Sequence, residues 1–567
     1  MGGLFSALRL GARSLAAHQA AIQITGQNIA NANTEGYTRQ RVHLSAATPN
    51  SLPEGFVGNG VEVQRIERAI DTFVQEQLQR EDAKFGSLEE QEVALRRVSS
   101  ALNELSDADL SSAFDKFFDA LQQVASRPED AAPRRAFVES GKALAQRFQY
   151  LSGQFDDIRR DLNSEVSTTV SGINTLATEI ADLNQQILRG EFSGPPPREA
   201  NDLRDQRDLA LRNLSELVEI KRFEQTDGTV NVSIDGEYLV VRNTVNSLST
   251  TSSTDRGITI LNPVFSSNQS PVVLRGGRLE GLVTARDTKI GGYIDTLNDL
   301  AGRFASEFNK VHSVGTGLTG LSSVTATKGL LLTTTTLSGV GLAYPPVHGQ
   351  FDLHVRNKLS GAVTVTTIPV DLDGIGADTT LTTLSSAIGA AANVSSSIDS
   401  NGKLTVSADS SNFDFAFRND SSGILSALGL NTFFEGTDAR TFDVTSLVDG
   451  DVGKVAAALS FDVGDNTNAL ALLAQRDATN FAGGTTALDA QYQGFIGTVS
   501  VDAAQTKDLL DNERAIRTRL ENEREIVSGV NVDEEVVNLI AYQRAFQGSA
   551  RFIAVVDDLL DTIVNGL

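Results

Sequence analysis

The sequence predicts a multidomain α+β protein with discontinuous, nested domains: a terminal α-helical coiled coil, a long helical bundle domain and β-rich inserted outer domains. Three observations predict it. Both ends carry an apolar residue at every seventh position, Leu8, Leu15, Ile22 and Ile29 at the start and Val532, Leu539, Phe546, Ile553, Leu560 and Leu567 at the end. A period of seven keeps an apolar seam on one side of a helix and bends it into a left-handed supercoil. Between the ends the hydrophobic period alternates between helical and strand values in an order that is nearly symmetric about the middle, as insertions within insertions would produce. Finally, 567 residues suffice for about three to five domains.

Residues 4–32 read as one helix, stopped by Asn31-Ala32-Asn33-Thr34-Glu35-Gly36, whose Asn and Gly suit a left-handed stop and a turn. Val61 and Val63 mark a short extended stretch. From Ile66 to Arg127 the pattern is helical again, with Leu88, Leu95, Val98, Leu102 and Leu105 on one face, until Pro128 and Pro133 break it. Leu144 to Ile187 holds a three-or-four spacing far beyond the length of an ordinary helix, and Pro195, Pro196 and Pro197 end it. A charged helix spans Asn201 to Leu217. The period then drops to two at Val230, Val232 and Ile234, and Asp235-Gly236 before Tyr238 is a hairpin signal. Leu279 to His312 is helical. Residues 320–455 are rich in Thr, Ser and Gly, with strands at Asp352–Val355, Ala362–Asp371 and Lys403–Phe417 and a turn at Asn401-Gly402. Helix resumes at Ala469, runs from Leu488 to Ile526, and restarts at Asp533. The boundaries follow: residues 1–50 with 527–567 as the terminal coiled coil, residues 51–217, 276–318 and 456–526 as the helical bundle, residues 218–275 as a small β-rich domain, and residues 319–455 as the outer insertion.

A net charge of −24 disfavours nucleic acid and anionic membrane, both of which need clustered Lys and Arg; Arg39-Gln40-Arg41 is too short to reverse this. Zero cysteines exclude disulfides and thiolate metal sites. No apolar run approaches the ~20 residues of a membrane span, and the N-terminus shows no basic region followed by an apolar core, so no Sec-type signal is expected. No catalytic constellation is visible. The five histidines form no zinc-peptidase motif; His348 and His354 lie six apart with no third ligand in sequence, and Asp371-x-Asp373 lacks the spacing of a calcium loop. Gly315-x-Gly317-x-x-Gly320 follows a helix rather than a strand, so a turn is the better reading than a dinucleotide site. No catalytic, cofactor or metal residues are assigned. The function expected is assembly, because a terminal helix with such a seam cannot bury it alone. The ends, loose in the monomer, order when many copies pack around an axis.

One stretch carries a resemblance. Asn28-Ile29-Ala30-Asn31-Ala32-Asn33-Thr34-Glu35-Gly36-Tyr37 resembles the signature of the bacterial flagellar axial proteins of the rod, hook and hook-associated group. The continuation Thr38-Arg39-Gln40 resembles the hook-associated type. Val530 to Glu535, Gln543 to Gln547 and Ser549-Ala550-Arg551 are similar to the same family at the C-terminus, and Asn201 to Asp208 and Asp465 to Leu470 are similar to its hook-associated members. The resemblance implies a non-enzymatic subunit exported through the flagellar type III apparatus, with a cytoplasmic chaperone on its C-terminal region. It implies a homo-oligomer forming a ring-like or helical layer at the distal end of the hook, with hook protein below and a second junction protein above. A distal rod or hook subunit, or an adhesin using residues 325–455, is the alternative.

Overall fold

The computed structural model describes residues 2–52, 55–102, 109–192, 198–481 and 483–565. The expectations placed on Leu105, Pro195, Pro196, Pro197 and Leu567 lie outside the described residues. The chain is mixed helix and sheet and divides into two compact units, residues 1–94, 160–285 and 504–567 in one and 95–159 and 286–503 in the other.

In the first unit, helix α1 (Gly2–Ala30) leads into strand β1 (Gln40–Ala46), a small hairpin of β2 (Asn50–Leu52) and β3 (Gly55–Val57), and β4 (Val61–Arg68). β1 and β4 pair antiparallel, with Val42 opposite Ile66. Ile66 therefore belongs to a strand, not to the helix expected to open there. α2 (Thr72–Leu102) starts only after Asp71, whose carboxylate accepts the Phe73 and Val74 amides and satisfies donors that a helix start leaves free.

α3 (Leu110–Ser126) precedes α4 (Ala131–Glu191), a helix of 61 residues. Pro133 lies in the first turn of α4, where its missing N–H is no loss, so it opens this helix instead of breaking the previous one. From residue 160 onward α4 belongs to the first unit and buries Leu162, Val166, Ile173, Ala177, Ile180 and Ile187. Asn163, Asn174 and Asn184, about three turns apart and so on one face, bind the β structure. Asn163 accepts the Leu261 amide, Asn174 exchanges two bonds with Leu248, and Asn184 exchanges two with Val230.

α5 (Asn201–Leu217) leads to the four-stranded antiparallel sheet of β5 (Lys221–Glu224), β6 (Val230–Ile234), β7 (Glu237–Val241) and β8 (Thr244–Val245), then to the hairpin of β9 (Leu248–Asp255) and β10 (Ile258–Phe265). Asp235 and Gly236 turn β6 into β7 with φ of 44° and 95°, the mirror-image turn that an Asp-Gly pair favours. α6 (Arg278–Val283) passes through a π-helical stretch, Thr284–Ile290, into α7 (Gly291–Ser313).

The second unit is built on phenylalanine. α3 supplies Phe114, Phe117 and Phe118, α4 Phe137 and Phe148, α7 Phe304 and Phe308. Phe433, Phe434 and Phe442 join them around the short pair β17 (Phe434–Glu435) and β18 (Asp443–Val444). The Thr/Ser-rich insertion packs two three-stranded antiparallel sheets. One is ordered β13 (Val363–Val370), β12 (Gly349–Asn357), β16 (Phe413–Arg418); the other β11 (Ser323–Thr325), β15 (Leu404–Ala408), β14 (Val394–Ile398). Lys403–Phe417 is thus two strands in different sheets, divided by a turn at Ser410. α8 (Leu381–Gly389), capped by Thr380, and the one-turn helices α9 (Ile424–Leu428) and α10 (Ser446–Gly450) also form where composition suggested only strand. Gly315, Gly317 and Gly320 are a packing feature: a Cβ on any of them would collide with Asn468, Gly453 or Asp414. α11 (Thr467–Leu473) and the first part of α12 (Leu488–Ser528) complete this unit; the rest of α12 and α13 (Val532–Asn565) belong to the first.

Candidate assembly site

α1 and α13 lie antiparallel, since Gly11 meets Ile553 at one end and Asn28 meets Glu535 at the other. The face that α1 buries is made of small and polar residues: Gly11, Ala17, Ala21, Thr25 and Asn28. They allow close approach; a Cβ on Gly11 would come within 2.5 Å of Ile553 Cγ1. Leu8, Leu15, Ile22 and Ile29 flank this stripe and are half-buried. On α13, Leu539, Tyr542, Phe546, Ile553 and Leu560 are half-buried and Val556 is buried, whereas Val532 is exposed. Further apolar residues of α13, Val536 and Ile540 near its start and Phe552, Val555, Leu559 and Ile563 in its second half, are between 39% and 58% exposed in the chain.

The helix pair is tied at one end by a buried polar knot. Asn28 donates to the Gln40 carbonyl at 2.9 Å and to Glu535 Oε2 at 3.0 Å, and its Oδ1 accepts the Gln40 amide at 3.0 Å and the Tyr37 hydroxyl at 2.8 Å. Arg39 reaches Glu535 at 2.7 Å and Glu534 at 3.1 Å. Its amide donates to the Ser528 carbonyl, joining the end of α12 to the same knot. Asn531 caps α13 by accepting the Asp533 and Glu534 amides. That leaves Asp533, Glu534 and Glu535 in a first turn whose dipole favours carboxylates.

α5 supplies the third side. Asp202 accepts from Gln27 and Gln40, and Asp205 accepts the Thr38 amide at 3.0 Å while pairing with Arg68 at 2.9 Å. Burial pushes the Asp205 carboxyl up, with Arg68 opposing. Burial, then Asp202, Asp205 and Glu535, holds the Tyr37 phenol well above its ordinary value, so it stays a donor.

Several residues of the recognised stretch have a local task. Asn31 donates to the Gln27 carbonyl and accepts from Thr34, closing the end of α1. The left-handed position is Gly36 alone, with φ of 78° and its Cα against Leu209. Asn33 is exposed. The sequence marked residues 28–40, 201–208 and 530–535 separately; that they meet in one place comes from the fold.

Two other motifs lie in the second unit. Asp465 accepts the Leu459, Ser460 and Thr467 amides; against its burial, these bonds hold its carboxyl well below the usual range. Asn466 and Asn468 bind the Ala125 and Ala456 carbonyls. His348, for which no third ligand beside His354 was expected, lies 3.2 Å from Asp371 and beside Asp373, and His354 is not part of that group; His348 and Asp373 are exposed, as in a solvated turn. Among the described residues no helix is long and apolar enough to cross a membrane.

Comparison with known proteins agrees with this geometry. Residues 8–38 match the family described as flagella basal body rod protein, and residues 527–566 match flagellar basal body rod FlgEFG protein C-terminal, which are the two partners of the helix pair. Residues 95–325 match the helical domain of the flagellar hook-associated protein FlgK. The chain is 27% identical to flagellar hook-associated protein 1 of Bacillus subtilis (strain 168), covering 100% of this chain and 99% of that one. It is 28% identical to the protein of that name from Escherichia coli (strain K12), covering 97% and 98%. In fold it is similar to the flagellar hook junction protein FlgK from Burkholderia pseudomallei, with a TM-score of 0.50 at 18% identity, over 80% of this chain and 100% of that one. The similarity to proteins named flagellar hook-associated protein 1 runs over the whole chain, and the FlgK helical-domain match lies within it.

Proposed function

We propose that the chain is a structural subunit of the bacterial flagellum, placed at the junction between hook and filament and needed for filament attachment. The observation that carries this is α13, which pairs with α1 yet keeps Val536, Ile540, Val555, Leu559 and Ile563 exposed. Exposed apolar side chains near both ends of a helix already paired suit burial against further copies of the same helix pair.

In finer detail, the paired ends form the innermost layer of a ring-like or helical homo-oligomer, with the helical and β-rich parts nested outside it. The half-buried positions Leu8, Leu15, Ile22, Ile29, Leu539, Phe546, Ile553 and Leu560, with exposed Val532, border the subunit contacts. Hook protein lies below and a second junction protein above. Export runs through the flagellar type III route, with a chaperone on the C-terminal region until then. The small buried residues of α1 and the exposed apolar residues of α13 support the oligomer.

Deletion of the gene tests the reading. The expected cell carries hooks without filaments and releases flagellin to the medium. Normal filaments on the deletion strain would overturn it.

A further inference from the structure

Glu81 of α2 and Glu513 of α12 meet carboxyl to carboxyl at a helix contact, and each residue is less than a tenth exposed. The charges around them are largely spoken for. Lys84 donates to Glu81 Oε2 at 2.7 Å. Arg80 lies near Glu81 on the same helix. Fully buried Asp82 is held by Arg212 at 3.2 Å and Arg517 at 2.9 Å, and these two arginines also reach Glu521 and, for Arg517, Glu216. Arg514 and Arg517 lie over the Phe85 ring. No arginine reaches Glu513, and its Oε1 is shielded from water without a hydrogen-bond partner. Two carboxylates have no hydrogen between them to share, so a hydrogen bond joining them requires that one be protonated.

We propose that Glu81 and Glu513 hold a single proton between them and form a pH-responsive latch joining α2 to α12. Lys84 fixes Glu81 as the ionised member. Against its burial, the bonds from Glu513 and Lys84 keep the Glu81 carboxyl below its ordinary value. Burial, then Glu81 itself, pushes Glu513 up to about 7. A group whose folded value is raised stabilises the contact fully below its unfolded value, and loses that contribution as pH rises through the folded one. The latch is therefore closed in mild acid and slackens towards neutrality. The contact it governs lies on α12, about four turns and a short link before the knot that starts α13.

Amide hydrogen exchange on the full chain tests this, read at residues 78–85 and 510–517 and corrected for the intrinsic rate. The opening equilibrium of these segments should rise about tenfold per pH unit between about 5 and 7 and level off above, the linkage of one proton. Glu513→Gln supplies a permanent N–H donor to Glu81 and should make both segments insensitive to pH over that range. Glu81→Gln removes the like charge and should move the midpoint to lower pH. Parallel pH responses in wild type and Glu513→Gln, or a flat response in wild type, would overturn the proposal. If Glu513→Gln does not fold, an unmoved midpoint in Glu81→Gln would overturn it instead.

Discussion

Asn28 uses every hydrogen-bonding position of its side chain: both amide hydrogens donate and both lone pairs of Oδ1 accept. No other residue type of that size can do this, so Asn28→Ala leaves the Gln40 amide and Glu535 short of partners inside the protein. The expected loss is about 2–4 kcal/mol in chemical unfolding of the full chain. Asn28→Asp removes both donors and sets a second carboxylate against Glu535, so its loss should be larger at pH 7 than at pH 4. His312 gives a second residue-scale expectation. Its ring is fully buried, Nδ1 lies 2.9 Å from the Asn431 carbonyl, and Nε2 accepts the Ala456 amide, which fixes a neutral tautomer. Burial pulls its value down to about 4, with the Asn431 bond opposing and Arg134 adding. The unfolded chain therefore binds this proton first, and stability should fall as pH drops from about 6.5 to about 4, by on the order of 3 kcal/mol. Urea unfolding across that range should show the slope in wild type and a shallower one in His312→Gln.

At the scale of elements, the terminal helices, the long α4, the hairpin at Asp235-Gly236 and the helices after Leu488 were legible because each is a periodic pattern with its own stop signal. Ile66 misled, since one apolar residue fits both a strand and a helix; the deciding signal was Asp71, a cap, a few positions later. Asn163, Asn174 and Asn184 were not legible, because asparagine on a helix acquires a task only once a strand backbone lies beside it. The seam of α1 was legible as a helix, whereas its close approach to α13 at Gly11, on the same side as Leu8 and Leu15, was not, because hydrophobic residues draw the eye and a glycine does not. Gly11 tests that reading. Gly11→Val should clash with Ile553 and destabilise the helix pair, whereas Gly3→Val, with nothing within 4 Å, should not. Complementation of a deletion strain should separate them, with motility lost in the first and retained in the second.

For the whole molecule, the exposed apolar side chains of α13 and a net charge of −24 act in opposite senses, one favouring association through that helix and the other keeping the remaining surface apart. Val536→Asp and Ile540→Asp fall on a surface open to water in the single chain. Each should change monomer stability by less than about 0.5 kcal/mol yet abolish incorporation into flagella, because a carboxylate in a dry subunit contact is costly. Thermal melts of the secreted monomer and immunodetection on isolated hooks check the two halves. The assembly motifs were legible because a buried polar cluster tolerates few residue types. The fold of residues 320–455 was not, because Thr, Ser and Gly serve strands, caps and turns equally well.

The polar knot draws its members from residues 28–40, from Asp202 and Asp205, and from Glu534 and Glu535. Glu535 lies 496 positions after Arg39, with which it pairs. A polypeptide truncated before Glu534 keeps an unanswered Arg39 and an Asn28 short of one of its four partners, so the local chemistry registers whether α13 has been made, and a fragment without it cannot counterfeit the subunit.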